Sequence, residues 1–221
     1  MLNKFGVLWD MDGVLVDTAE FHFLSWEKTL GEMGIPFERG KFQALFGRNN
    51  HDTLASLLQR PPEAELLQTV NERKETLFRA LIHGQAQPLP GVRAWLERLR
   101  RLGALQAVAS SAPQENIDLL VDELGLRPYF AALCAGHRLP GKPDPALFLL
   151  TASVLGLPPR RCLVVEDSLA GIEAAHRAGM KCLAVASTNP VGALGQADLV
   201  LERLDQMGVE EALGKLGVDA G

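Results

Sequence analysis

The stretch Phe5-Gly-Val-Leu-Trp-Asp10-Met-Asp12-Gly13-Val-Leu-Val-Asp17 decides the fold. Its apolar run, Phe5, Val7, Leu8 and Trp9, stops at two carboxylates one residue apart. The run is short and lacks helical spacing, which reads as a buried strand of a parallel sheet. Asp10 and Asp12 then lie at the carboxyl end of that strand, where open α/β sheets bind their ligands. Alternate side chains of an extended segment share a side, so the two acids point the same way. Gly13 lets the chain turn sharply and lets another group come close to the backbone. A surface turn rich in Asp and Gly is the plain alternative; matching pieces later in the chain weigh against it.

The 221 residues are 47% hydrophobic and 22% charged, the composition of an ordinary globular protein with a packed core. A net charge of -5 argues against non-specific binding to nucleic acid or to an anionic membrane, and leaves a small anionic substrate open. No apolar run reaches the roughly 18 residues of a membrane span, and no signal peptide is visible. Cys134, Cys162 and Cys182 lack metal-ligand spacing and are odd in number, which suggests reduced, buried thiols in a cytoplasmic protein.

Residues 1–16 supply the first strand. Asp17-Thr-Ala-Glu20 fits a capping box, with Asp17 as cap and Glu20 reaching back, ahead of a helix from about Thr18 to Met33. Helical patterns follow over Glu38–Leu45, Asp52–Leu58 and Glu63–Ile82, with no strand pattern between Asp17 and Gln87. That length is too great for a connection and suits a small helical domain. From Pro90 the pattern changes. Candidate strands at Ala104–Ala109, Ala131–Ala135, Cys162–Val165, Lys181–Val185 and Leu199–Leu201 alternate with helices at Val92–Leu102, Pro113–Leu124, Pro145–Leu155 and Leu169–Ala178, before a C-terminal helix. Such alternation predicts a doubly wound, Rossmann-like parallel sheet. The expected organisation is therefore an α/β core, residues 1–16 and 88–221, interrupted by a helical-bundle cap, residues 17–87.

Four strand ends carry polar groups: Asp10 and Asp12, Ser110 and Ser111, Lys142, and Glu166 with Asp167. In a parallel sheet these ends meet at one edge. Each has a plain reading. Ser110 or Ser111, Asp144, and Asp167 or Ser168 could all cap helices, and Lys142 could be a solvated loop residue. Their joint occurrence favours a site. Four carboxylates so gathered would repel strongly: unit charges about 4 Å apart repel by about 4 kcal/mol at an effective dielectric of 20. One lysine does not offset that; a hard divalent cation such as Mg²⁺ does, and oxygen ligands suit it. With Lys142 and a serine hydroxyl it would cradle a phosphate dianion. That leaves Asp10 free as nucleophile and Asp12 to give and take a proton.

Asp10-Met-Asp12-Gly-Val, Ser110, Gly141-Lys142-Pro-Asp-Pro145 and Val165-Glu166-Asp167-Ser-Leu-Ala-Gly171-Ile resemble the four motifs of the haloacid dehalogenase superfamily, in its order and with its helical insert after the first. The resemblance implies Mg²⁺-dependent phosphoryl transfer through an aspartyl-phosphate on Asp10, with Asp12 as general acid and base. It makes Asp10, the Asp12 carbonyl and Asp167 metal ligands, and Glu166 a ligand through water or a group behind the ligands. Ser110 and Lys142 would hold the transferring phosphoryl group. Dehalogenases of the superfamily lack the second Asp of the first motif, so Asp12 implies phosphate chemistry.

The cap start, Asp17-Thr-Ala-Glu20-Phe-His22-Phe-Leu-Ser-Trp26, is similar to the β-phosphoglucomutase branch. His22 and Trp26 share a helix face; either both look onto the site, or Trp26 is core with His22 at its rim. Glu20, His22, Trp26, Arg48, His51 and Ser111 are the candidate substrate-binding residues. Two features depart from the mutase pattern. Asn50 stands where the resembled mutases carry an Arg, and Ser111-Ala-Pro-Gln114 has neither the Lys nor the Asn of their second phosphate clamp. Arg48 or His51 could substitute. The expected activity is hydrolysis of a small phosphorylated metabolite, a sugar phosphate, by a monomer or weak dimer. A phosphosugar mutase, or a phospho-Asp signalling or sugar-phosphate-sensing domain, is the alternative.

Overall fold

Gly6–Trp9 (β1) is apolar and buried along its whole length, so it needs a partner on each side and a packed layer on each face. The computed structural model describes residues 5–218 and gives β1 both. β1 pairs in parallel with Leu105–Ser110 (β2) on one side and Cys162–Glu166 (β4) on the other. Ala132–Ala135 (β3) continues the sheet beyond β2; Lys181–Val185 (β5) and Leu199–Leu201 (β6) continue it beyond β4. The order is β3-β2-β1-β4-β5-β6, all parallel. Chain order reverses direction between β1 and β4, and a crevice opens at the carboxyl ends of strands flanking such a switch point.

Helices cover both faces. Val7 and Trp9 enter one apolar layer with Val92–Arg101 (α5), Gln114–Glu123 (α6) and Val209–Leu216 (α9). Leu8 faces the other layer, built by Ala146–Val154 (α7) and Leu169–Arg177 (α8). Between β1 and α5 lie Ala19–Gly31 (α1), Arg39–Leu45 (α2), Asn50–Leu58 (α3) and Ala64–Ile82 (α4). Phe23, Trp26, Phe37, Phe42, Leu54 and Val70 form a separate core among them. α4 belongs to both parts: its Val70 enters that core, whereas Phe78 and Ile82 enter the layer beneath the sheet. The chain passes between the parts twice, and the crossings lie side by side. Val16 bridges Pro88, and the Leu89 N–H donates to the Leu15 carbonyl at 3.0 Å.

Local signals resolve in most places as read. Ser168 caps α8 through the Gly171 N–H, and Asp144 accepts the Ala146 N–H at the start of α7. Asn49 caps α3 through the Asp52 N–H, two residues earlier than the pattern suggests. The capping box does not form. Asp17 accepts only the Ala19 N–H at 3.3 Å, and Glu20 turns outward to a two-pronged ion pair with Arg39 at 2.6 and 2.7 Å. A guanidinium with matched geometry outcompetes a single backbone N–H for that carboxylate. The three cysteines are free and buried. Among the described residues no helix is long and apolar enough to cross a membrane.

One core contact is polar. The Trp9 indole N–H donates to Gln106 Oε1 at 3.1 Å, and Gln106 Nε2 donates to the Leu96 carbonyl at 2.9 Å. Gln106 is 1% exposed. Gln106→Leu keeps the volume and strands the indole N–H, so it should lower unfolding stability by about 1–3 kcal/mol in urea titration. An unchanged midpoint would show that the pair carries no stability.

Candidate active site

β1 delivers Asp10 to the switch point, where the Asp10 N–H donates to the Val165 carbonyl at 2.9 Å. β4 delivers Glu166 beside it. The Asp167 and Ser168 N–H groups and the Ser168 hydroxyl all donate to Glu166 Oε2, at 2.8, 2.8 and 2.9 Å. Lys142, on the loop after β3, lies between the two acids: Nζ donates to Asp10 Oδ1 at 2.6 Å and to Glu166 Oε1. Asp167 is held by the Thr188 hydroxyl and through its carbonyl by Asn189. Two glycines make room. A Cβ on Gly13, whose φ is +80°, would run into the Asp167 carboxylate, and one on Gly171 would run into Glu166.

Asp10, Glu166 and Asp167 are all buried, and one oxygen from each lies within 4.8 Å of the others. Their proton affinities diverge accordingly. Burial pushes Asp10 up to about 7; Lys142 opposes this, while Glu166 and Asp12 add to it. Burial also raises Asp167 well above the usual carboxylate range, reinforced by the Glu166 and Asp10 charges. Glu166 goes the other way: burial would raise it, but Lys142 and its N–H donors hold it low. Lys142 is driven up, because its two carboxylates outweigh the burial that would lower it. Three carboxylates therefore lie beside one ammonium that pairs with two of them. An all-oxygen donor set with surplus negative charge fits a hard divalent cation.

Asp12 has different company. Its Oδ1 accepts the Thr18 hydroxyl at 2.6 Å and His22 Nε2 at 3.1 Å. Lys74 Nζ donates to His22 Nδ1 at 2.9 Å. An ammonium only donates, so Nδ1 carries the lone pair and Nε2 the proton. Burial and the Lys74 charge hold the His22 imidazole below its usual range, hence neutral. Burial alone would raise Asp12, yet His22 and Thr18 hold it low. Lys74 also donates to Glu75 Oε1 at 3.0 Å, and Asn116 of α6 donates to Glu75 Oε2 at 2.6 Å. The His22 ring stacks on Phe78, with centroids 3.9 Å apart and planes 8° apart.

Asp10, Asp12, His22, Trp26, Arg48, His51 and Ser111 all line one cavity of about 870 Å³ between the helical part and the sheet edge. Lys142, Glu166 and Asp167 are buried behind Asp10. Ser110 is fully buried; its Oγ accepts the Ala112 N–H, and its proton has no acceptor among the described residues. Trp26 lines the cavity and also packs in the α1–α4 core, so the two alternatives do not exclude each other. Glu20 is the exception: it is exposed, paired with Arg39 and outside the cavity. Thr18, Lys74, Glu75, Asn116 and Thr188 escaped the sequence reading. Lys74 left a trace, since Val70, Lys74, Phe78 and Ile82 follow one another at four-residue steps. A charge in such an apolar stripe is buried or paired.

The model of one family, described as haloacid dehalogenase-like hydrolase, matches residues 6–179, which hold every group above except Thr188 and Asn189. The chain belongs to that family. This haloacid dehalogenase-like hydrolase is 33% identical over 213 residues to a β-phosphoglucomutase of Bacillus subtilis, covering 92% of each chain. It is also 33% identical over 187 residues to a fructose-1-phosphate phosphatase of Escherichia coli, covering 81% of this chain and 95% of that one. A crystal structure of β-phosphoglucomutase from Clostridium difficile matches with a TM-score of 0.88 at 25% identity, over 98% of both chains.

Asp10 and Asp167 keep protons in the folded hydrolase that the unfolded chain gives up near pH 4. Each therefore costs the metal-free fold more stability as pH rises toward 7. A cation that replaces those protons competes with fewer of them at high pH. Added Mg²⁺ should raise Tm more at pH 8 than at pH 5, by scanning calorimetry after chelation. An equal rise at both, or none at either, contradicts the assignment of the cluster as a cation site.

Proposed function

We propose that the hydrolase is a Mg²⁺-dependent phosphatase of a small phosphate monoester, a sugar phosphate, with residues 17–87 acting as a cap over 1–16 and 88–221. Asp10, Asp167 and the Asp12 carbonyl would hold the ion, with Glu166 beside or behind them. When bound, the ion offsets the charge of the carboxylates and of the phosphate dianion. Lys142 and the Ser110 hydroxyl hold the transferring phosphoryl group. Asp12 first takes up a proton from solvent as the substrate binds. Asp10 then attacks phosphorus, its new O–P bond forms as the bond to the alcohol oxygen breaks, and Asp12 gives that oxygen the proton. Water then attacks the aspartyl-phosphate and gives Asp12 a proton, and the Asp10 O–P bond breaks to release inorganic phosphate. The cap closes the cavity, and its His22, Trp26, Arg48 and His51, with Ser111 from the core, meet the leaving alcohol.

The observation that carries hydrolysis over transfer to a second sugar oxygen is the place of Asn50. A mutase must grip a bisphosphate at both ends. Asn50 stands where the resembled mutases carry the Arg of that grip, and its amide nitrogen donates to the Glu75 carboxylate at 2.7 Å. Ala112 and Pro113, which also line the cavity, offer no side-chain donor. The curated relatives' names divide between mutase and phosphatase at equal identity, so they do not choose.

The test is phosphorus NMR of purified protein with Mg²⁺, β-glucose 1-phosphate, fructose 1-phosphate and a trace of glucose 1,6-bisphosphate. Free phosphate should appear with the wild type and not with Asp10→Asn, which should keep the wild-type circular dichroism. Glucose 6-phosphate without free phosphate would make the enzyme a mutase; wild-type turnover in Asp10→Asn would overturn the role of Asp10.

A further inference from the structure

The contacts that run from Asp12 through His22 and Lys74 to Glu75 end at cap side chains that the proposed chemistry does not use. Asn50, Asn71 and Glu75 all line the cavity. A carboxylate only accepts, so Glu75 obliges Asn50 to present its amide nitrogen, at 2.7 Å. The same Asn50 nitrogen donates to Asn71 Oδ1 at 2.9 Å. Both amides are thereby fixed in orientation. Asn50 Oδ1 and Asn71 Nδ2 are left over, and neither has a partner among the described residues. Glu75 is 4% exposed and is itself anchored to the core through Asn116.

This wall offers one oriented acceptor, one oriented donor and a fixed negative charge behind them. A hydroxyl group both donates and accepts, and satisfies such a pair. A second phosphate only accepts, and would meet the Glu75 carboxylate. Two of the cations that line the cavity are committed, Lys74 to His22 and Glu75 and Arg79 to Asn116 and Thr76; Arg48 and Arg138 line it as well. Trp26 and Phe46 line the same cavity and supply apolar faces for the carbon-bound hydrogens of a sugar or polyol.

We infer that Asn50 and Asn71, oriented by Glu75, read hydroxyl groups of the leaving alcohol, so that the enzyme selects singly phosphorylated, polyhydroxylated alcohols. The inference rests on the phosphatase reading of Asp10 and adds the side chains that choose the alcohol. The hydrogen bonds of the two asparagines run to each other and to Glu75, not to Asp10, Asp12 or His22, which separates choice of alcohol from chemistry.

The experiment compares wild type, Asn50→Ala and Asn71→Ala on a panel of pentose and hexose monophosphates and on n-hexyl phosphate, by steady-state kinetics and by calorimetric binding. A site built for hydroxyls rejects an ester that lacks them, so the best sugar phosphate should exceed hexyl phosphate at least about 100-fold in kcat/KM. Each substitution should cut that ratio about tenfold or more, mainly through KM of the sugar phosphate. Equal use of hexyl phosphate, or a ratio unmoved by both substitutions, overturns the inference. So does a sugar bisphosphate that binds more tightly than its monophosphate and loses that advantage in Arg138→Ala, which would make this end of the cavity an anion site. Preferential binding of sugar phosphates without hydrolysis of any ester would overturn the phosphatase reading and leave the hydroxyl-reading wall in place.

Discussion

Asp10, Glu166 and Asp167 are held within a few ångströms of one another, out of water, with Lys142 paired to the first two. The rest of the structure answers to that crowding. Burial and mutual repulsion push two of the three acids up, and the third stays ionised only because two backbone N–H groups, a serine hydroxyl and the lysine all serve it. The sheet must bring β1 and β4 side by side, and two glycines must leave space where a Cβ would strike a carboxylate. Such a cluster stores an affinity for positive charge and for groups that carry it in.

Asp12, two residues from Asp10, escapes this crowding because it faces the cap. Its partners Thr18 and His22 come from the start of the inserted segment, and His22 is set by Lys74, on the helix that ends that segment. The two chain crossings at Val16 and Pro88 lie together, so the pieces that hold Asp12 leave and re-enter the core at one place. α4 ties this arrangement to the core a second time: Glu75 accepts from Asn116, and Arg79 donates to the same amide at 2.8 Å. The two carboxylates of one short strand end are thus governed by different parts of the molecule. That division is what separate nucleophilic and proton-transfer roles require.

The core was legible because strand ends write their chemistry locally. Apolar runs that stop at Asp10, Ser110 and Glu166 specify both a parallel sheet and the edge where their polar groups converge. The cap was legible as helices but not as partners. The apolar stripe of α4 hints that Lys74 is buried or paired, but only the packing of α4 against α1 shows that its partner is His22. Glu20 misled for the converse reason: its spacing from Asp17 fits a cap, while Arg39, far along the chain, offers it a better partner. Gln106 and Thr188 had no local signal, because each is explained by a partner more than twenty residues away: Trp9 for one and Asp167 for the other.

The central claim is that Asp10 becomes phosphorylated and then gives its phosphoryl group to water. Its most direct test is a single turnover of a phosphorus-labelled sugar monophosphate, quenched in acid at successive times and mapped by peptide mass spectrometry. The account predicts label that rises and falls on the peptide containing Asp10 while free phosphate accumulates. Phosphate released with no protein-bound label at any time, or with label on another side chain, would contradict it.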